Sequence, residues 1–146
     1  MDMSGEFKVN GTSNAYNGLV PQTLNNGSAT GTYVSLGLHG RAMFCCQLGT
    51  VAQGGTIAWQ VLQATDAAGT GSKNFTGGTQ SGAIAAMTTS NTTQYICVDA
   101  SQLDVANGYD HIAIKATEGG SANVAVACQI VRGTSRYKDL GMTVGT

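Results

Sequence analysis

The residues of this chain that could do chemistry are few and stand apart from one another. Two histidines occur, His39 in a glycine-flanked turn and His111 in a strand-like run. His111 shares its side of that run with Ala113, opposite Ile112 and Ile114, so we expect it to face solvent. A zinc site needs convergent cysteine and histidine ligands, and neither CxxC nor HExxH is present. We therefore predict two surface histidines and no metal centre.

The cysteines also argue against a reactive site. Cys45 and Cys46 are adjacent in a predicted strand, so they must point to opposite faces and cannot share a metal. The N-terminal residues contain no apolar signal segment, which predicts synthesis in a reducing cytoplasm. All four cysteines (Cys45, Cys46, Cys97 and Cys128) are then expected to be small buried hydrophobic residues.

Other catalytic patterns are missing. No GxSxG sequence is present, and the run from Gly69 to Lys73 lacks the GxxxxGK[ST] order of a phosphate loop. The acidic residues Asp99, Asp104 and Asp110 stand at strand ends or turns, where capping or solvation explains them. The sequence predicts that the protein is not an enzyme and carries no cofactor.

Composition narrows the function further. Charged residues make up 10% of the 146 residues, against about 25% in ordinary globular domains, and the net charge is −1. The seven basic residues are scattered, apart from a small cluster at 132–138, which argues against nucleic acid as a partner. No stretch approaches the about 18 apolar residues of a membrane span. Low charge combined with a regular apolar pattern favours a protein made for assembly.

The clearest pattern is the alternation in residues 122–131. Val124, Val126, Cys128 and Ile130 share one side of the run, while Asn123, Ala125, Ala127 and Gln129 share the other. A period of two predicts a strand with one face in a core. The opposite face is small, flat and neutral, where a monomer usually carries Lys and Glu. We predict that such outer faces are covered by other proteins.

Similar runs recur along the chain and indicate a β-sandwich or a β-barrel. Of the two, we predict the all-β, antiparallel β-sandwich of the jelly-roll type. Trp59 alternates with apolar neighbours and is assigned to the core, while 66–81 is a predicted loop with Phe75 buried. Gly119 and Gly120 predict a tight hairpin within 109–131, and 41–65 is predicted as its companion. The connection 99–107 is predicted to hold a helical turn, because residues 99–104 offer cap residues. The predicted strands are 32–37, 41–48, 56–65, 83–87, 94–98, 109–118 and 122–131.

The first 31 residues are rich in Gly, Asn, Ser and Thr, with isolated apolar anchors. Such a segment is predicted to be either a disordered tail or an extended arm that becomes ordered on a partner, and the spacing of the anchors favours the arm. Phe7 and Tyr16 are its candidate interface residues. The predicted organisation is an arm over 1–31, a sandwich domain over 32–138 and a tail over 139–146.

The second half of the chain resembles a known family. The residues concerned are 95–112, the Gly119-Gly120 pair, 124–131 and the 132–137 segment RGTSRY, together with 47–58 and 63–69 earlier in the chain. Over about residues 32–138 the chain resembles capsid decoration (cement) proteins, small structural proteins of tailed bacteriophages. The polar arm has no counterpart in that pattern, and Lys138 follows Arg136 and Tyr137 where many relatives have proline.

The resemblance implies a virion protein, made in the bacterial host cytoplasm, that binds and stabilises the outer surface of an icosahedral head. Its implied partner is the major capsid protein, and its implied assembly is a trimer. Arg136 and Tyr137 are the implied contact residues, and no catalytic residue is implied. The alternative is a phage tail or surface module that binds host glycans; an enzyme is the least favoured hypothesis.

Overall fold

The computed structural model describes residues 15–77 and 84–135, which form two antiparallel β-sheets packed face to face. Sheet A has the strand order β1-β9-β4-β7. Sheet B has the order β2-β8-β5-β6, and β3 also pairs with β8. The strands are β1 (Ala15–Leu24), β2 (Ser28–Thr30), β3 (Val34–Ser35), β4 (His39–Val51), β5 (Ile57–Ala64), β6 (Lys73–Asn74), β7 (Thr93–Asp99), β8 (His111–Glu118) and β9 (Val124–Ser135).

The chain passes from one sheet to the other at nearly every connection. Among consecutive strands, only β5 and β6 pair with each other. β2 and β3 also lie in the same sheet, but each of them pairs with β8. If β2 and β3 are counted as one interrupted strand, eight strands form two four-stranded sheets in the order of a jelly roll. The predicted antiparallel β-sandwich is confirmed.

The side chains of alternate strand residues fill the space between the two sheets, as predicted. Val124, Val126, Cys128 and Ile130 of β9 are buried, and Trp59 of β5 is also in the core. The remaining large, fully buried side chains come from both sheets and from the β3–β4 and β6–β7 connections: Phe44, Phe75, Leu36, Ile57, Ile112, Ile114, Val61, Val98 and Cys46. Burial of these apolar side chains is the main favourable contribution to folding.

The predicted hairpin over 109–131 is wrong. β8 pairs with β2, β3 and β5, whereas β9 pairs with β1 and β4, so the Gly119-Gly120 turn connects two sheets instead of two paired strands. The same holds for 41–65, because β4 and β5 also lie in different sheets. Alternation shows that two strands each bury one side. It does not distinguish strands that pair edge to edge from strands whose buried sides face each other.

Part of the predicted arm belongs to the sandwich, so the domain starts earlier than Thr32. β1 pairs with β9 along its length, and β2 pairs with β8, while Leu19 and Leu24 are in the core. Two register shifts interrupt β1, between Asn17 and Leu19 and between Leu19 and Gln22. These bulges break the period of two, so the alternation of apolar and polar residues does not indicate a strand here. Residues 1–14 of the predicted arm lie outside the described residues.

Smaller differences concern short elements. The strand predicted over 32–37 is reduced to β3, and the region predicted as 83–87 contributes one isolated bridge between Met87 and Ile57. Residue 83 lies outside the described residues. The predicted helical turn is present as two short 3-10 helices, Ala100–Gln102 and Val105–Asn107.

A buried carboxylate joins three of the inter-sheet turns. Glu118 is only 2% exposed, and its carboxylate accepts backbone N–H bonds from Asn26 and Gly120 at 2.6 Å each and from Thr56 at 3.4 Å. Desolvation opposes its ionisation, but these donors outweigh it, and the pKa of Glu118 is lowered. A Cβ atom on Gly120 would lie 1.9 Å from the Gly54 carbonyl oxygen, so glycine is needed where two of these turns meet.

Candidate binding face

The outer side of sheet A, called here the A face, carries almost no charge. Its side chains alternate with the core residues of the same strands. At one end, Arg41 and Asp99 form an ion pair at 3.7 Å, with both side chains about half exposed. The A face consists of Met43, Cys45, Gln47 and Gly49 of β4, Thr93, Tyr95 and Cys97 of β7, and Ala125, Ala127, Gln129 and Val131 of β9.

A shallow groove of about 650 Å³ crosses the A face. On the central strands its lining is small, with Gly49, Ala125 and Ala127, while Pro21–Thr23 and Asn91–Thr93 line it on either side. Its polar groups are amides and hydroxyls, and none of its lining residues is charged. The groove can therefore accept a neutral surface or chain without leaving an ion unpaired.

Tyr95 is the most prominent side chain of the A face. It is 64% exposed, although it lies directly across from Cys45 in the β4–β7 pairing. Exposed Val20 lies on β1, at the opposite edge of sheet A. Sheet A therefore has an exposed apolar side chain at each edge beside an uncharged groove, and exposed apolar surface of this kind marks sites that bind other macromolecules.

The outer side of sheet B, called here the B face, is partly covered by the chain itself. Tyr33 and Ser72 share a hydrogen bond of 2.5 Å between their hydroxyl groups, and the Tyr109 hydroxyl donates to the Gly71 carbonyl at 2.9 Å. Ala113, which was predicted to face solvent, is completely buried. That prediction is wrong: continuing the β3–β8 register places Tyr33 opposite Ala113, and Tyr33 is bonded to the 66–72 loop.

An ion pair fastens the same region. Lys73 bonds to the Asp104 carboxylate and lies 4.0 Å from the centre of the Tyr109 ring. The Asp104 backbone N–H donates to the buried Gln63 side chain at 3.0 Å. Hydrogen bonds from Lys73 and then from Asn107 lower the pKa of Asp104. These contacts support the predicted structural role of Asp104, which lies directly before the second 3-10 helix.

The predicted surface histidines are half-buried. The His111 side chain is 18% exposed, and its Nδ1 lies 2.6 Å from Asp110 Oδ1. Burial, and then the charge of Arg132, lowers the pKa of His39. In the described ranges, no group of three His, Cys, Asp or Glu side chains is arranged to hold a metal ion.

The cysteines are free, and they divide between the core and the A face. Cys46 and Cys128 are buried, with their sulfur atoms 3.6 Å apart, as predicted. Cys45 is half-buried, and burial is the main factor that raises its pKa. Cys97 is exposed, so the prediction that all four are buried is wrong for the two that point outward. Their positions on the outward side of β4 and β7 could have been read from the alternation.

Of the residues predicted for an interface, three lie outside the described part of the chain: Phe7, Arg136 and Tyr137. Tyr16 lies in β1, where its backbone is opposite Ile130 of β9. The sequence did not single out Tyr95 or Glu118. Glu118 could have been found, because it continues the buried alternation of Ile112, Ile114 and Ala116.

Comparisons with protein-family models, with curated proteins and with solved structures give no match for this chain. Within 15–77 and 84–135 there is no helix long and apolar enough to cross a membrane.

Proposed function

We propose that this chain is a virion structural protein, a capsid decoration (cement) protein that binds the outer surface of an icosahedral phage head and stabilises it. Its partner is the major capsid protein, and the A face is its docking surface. The observation that carries this proposal is the uncharged A face, with a groove of small side chains across its central strands.

Desolvation limits which surfaces can bind another protein. A docked surface loses its water, and charged side chains left without partners in the centre of an interface are costly. Protein interfaces are depleted of charge in their core and enriched in aromatic residues, which often carry much of the binding energy. The A face fits this pattern in part: the groove lining carries no charge, its small residues Gly49, Ala125 and Ala127 allow close approach, and Tyr95 is one exposed aromatic anchor.

Glycan binding is the second candidate. The jelly roll occurs in viral capsid proteins and in lectins, so the fold does not decide between them. The amides and hydroxyls of Gln22, Gln47 and Asn91 would suit a sugar. However, none of the groove-lining residues is aromatic, so the groove lacks a ring on which a sugar could stack. The observations therefore favour a protein surface.

The direct test uses purified phage shells that lack the protein. Shells are heated or osmotically shocked with and without it, and the intact fraction is measured. We expect the protein to raise the temperature at which shells break, and equal survival would contradict the proposal. A glycan array is run in parallel, and specific glycan binding without shell binding would favour the alternative.

A matched pair of variants assigns the binding to the A face. Ala127→Glu places a charge in the groove on central strand β9, and Thr117→Glu places one on the B face, on central strand β8. An unpaired charge buried in the interface should weaken shell binding by at least about tenfold, because its desolvation costs several kcal/mol. Thr117→Glu should bind normally. Both proteins should unfold at the same temperature, and equal binding by both would contradict use of this face.

A further inference from the structure

The sandwich protects most of its sheet edges against pairing with another chain. On β1, Pro21 and two register shifts interrupt the edge of sheet A. On sheet B, β6 has two residues, one of them Lys73, and the other edge is divided between the three residues of β2 and the two of β3. Short strands, proline, bulges and lysine are the usual protections of an edge.

β7 has none of these protections. It has seven residues, contains no proline or lysine, and pairs with β4 without a register shift from Thr93 to Asp99. It ends sheet A in the strand order of the described chain. A regular edge of this length, with unpaired backbone groups, is a template for a further strand.

The backbone groups that face away from β4 can be identified. The Leu48 N–H donates to the Thr92 carbonyl at 2.9 Å, and the direction of these groups alternates along an antiparallel strand. The N–H and C=O groups of Thr93, Tyr95 and Cys97 therefore point to the open edge. No hydrogen bond joins them to any described residue on that side. At the end of the strand, the Asp99 N–H is already bonded to the Gln102 side chain.

We propose that β7 of one copy pairs antiparallel with β7 of a second copy, around a two-fold axis at Tyr95. Tyr95 then lies opposite Tyr95 of the second copy, and Thr93 lies opposite Cys97 of the second copy. This register pairs every open N–H and C=O of the three residues. The two A faces join into one continuous surface of eight strands.

A second copy fits this edge because the segment is complementary to itself. Residues 93–97 carry no charge, and Asp99 lies beyond the last pair, so the two carboxylates do not face each other. The pairing has natural limits at both ends. Asn91 has a positive φ of 57°, which turns the chain before the ladder, and the Gln102 bond occupies Asp99 after it. This pairing is expected between free chains and does not depend on shell binding.

Disulfide trapping tests the register. In the full chain, Thr93→Cys places a thiol opposite Cys97 of the second copy, at the about 5.5 Å Cα separation of a hydrogen-bonded pair. A disulfide spans about 4.4–6.8 Å between Cα atoms, whereas residues 93 and 97 of the same strand are about 13 Å apart. We expect a covalent dimer on a non-reducing gel after mild oxidation. Thr93→Cys combined with Cys97→Ser should give none.

Sedimentation tests the contact without cross-linking. The unmodified chain should form a dimer whose population rises with concentration. Tyr95→Lys places two like charges opposite each other and should weaken the dimer several-fold, whereas Gln47→Lys, on neighbouring strand β4 of the same face, should not. A monomer at all concentrations, a trimer, or cross-linking that persists in the Cys97→Ser background would each overturn the proposal. A trimer would instead match the arrangement implied by the family resemblance.

Discussion

The two outer faces of the sandwich have similar strand patterns but different surroundings. On the B face, Ala113 and Ala64 are buried, and the 66–72 loop is attached by Tyr33 and Tyr109. On the A face, Ala125 and Ala127 have no such cover among the described residues and line a groove. A small, neutral outward side can therefore be covered by the chain's own loop or left bare. The bare one is the candidate docking surface.

The largest expected effect is a difference in the free energy of unfolding between a variant on the inward side of sheet A and one on its outward side. Phe44 of β4 is fully buried, so Phe44→Ala should lower the free energy of unfolding by about 3–5 kcal/mol through lost burial and a cavity. Tyr95→Ala, on adjacent β7, should change it by less than about 0.5 kcal/mol, because exposed positions contribute little. Urea unfolding at neutral pH measures both. Similar losses would mean that Tyr95 packs in the isolated fold.

A second pair of variants examines the cover of the B face. Gly69 and Gly108 have φ values of 81° and 83°, but an added Cβ would lie 2.6 Å from the Tyr33 ring at Gly69 and meet nothing within 4 Å at Gly108. Both alanine variants place a side chain at nearly the same positive φ, so the difference between them reports mainly the clash. Gly69→Ala should be less stable than Gly108→Ala by about 1–3 kcal/mol, as for other overpacked sites.

The control for this pair of variants removes the Tyr33 ring. In a Tyr33→Ala background the difference between the two glycine variants should disappear. If it remains, the 66–72 loop is not held against Tyr33. Limited proteolysis gives a second readout, since cleavage within 66–72 should be faster in Gly69→Ala than in Gly108→Ala.

A smaller effect, limited to acidic pH, is expected at the turns that join the sheets. The pKa of Glu118 is lowered in the folded state, from about 4.3 in an unfolded chain. Its stabilising contribution is therefore complete above about pH 4.3 and is lost as the pH falls through the lower folded value. The stability difference between the natural chain and Glu118→Gln should be constant near neutral pH and shrink below about pH 4. Urea unfolding between pH 3 and pH 7 measures it, and a difference that grows in acid would contradict this role.

The sequence predicts the core better than the connections. Alternation identifies Val124 and Ile130 as buried, and it identifies the sandwich, because burial of every second residue is a local property of a strand. It does not predict strand β1, where bulges break the alternation, or the assignment of β8 and β9 to different sheets. Those features depend on which strands meet in space, and the same is true of the cover over Ala113.

The candidate site is predictable only in part. The neutral side of β9 is visible in the sequence as Ala125, Ala127 and Gln129. The groove is not, because it needs residues from β1, β4 and the start of β7 beside them. The open edge of β7 also emerges only from the pairing, since β4, the strand with which it pairs, is separated from it by many residues along the chain.

Thiol labelling tests the central claim, that the A face is covered by another macromolecule, most directly. Cys97 is an exposed thiol on this face, and Thr117→Cys places an equivalent one on the B face; Cys45→Ser removes the half-buried neighbour. Maleimide labelling rates are compared between the free protein and the protein bound to shells. We predict that shell binding slows labelling of Cys97 by on the order of tenfold or more, since an interface core excludes water, and leaves the labelling rate of residue 117 unchanged. Unchanged labelling of Cys97, with or without protection of residue 117, would contradict it.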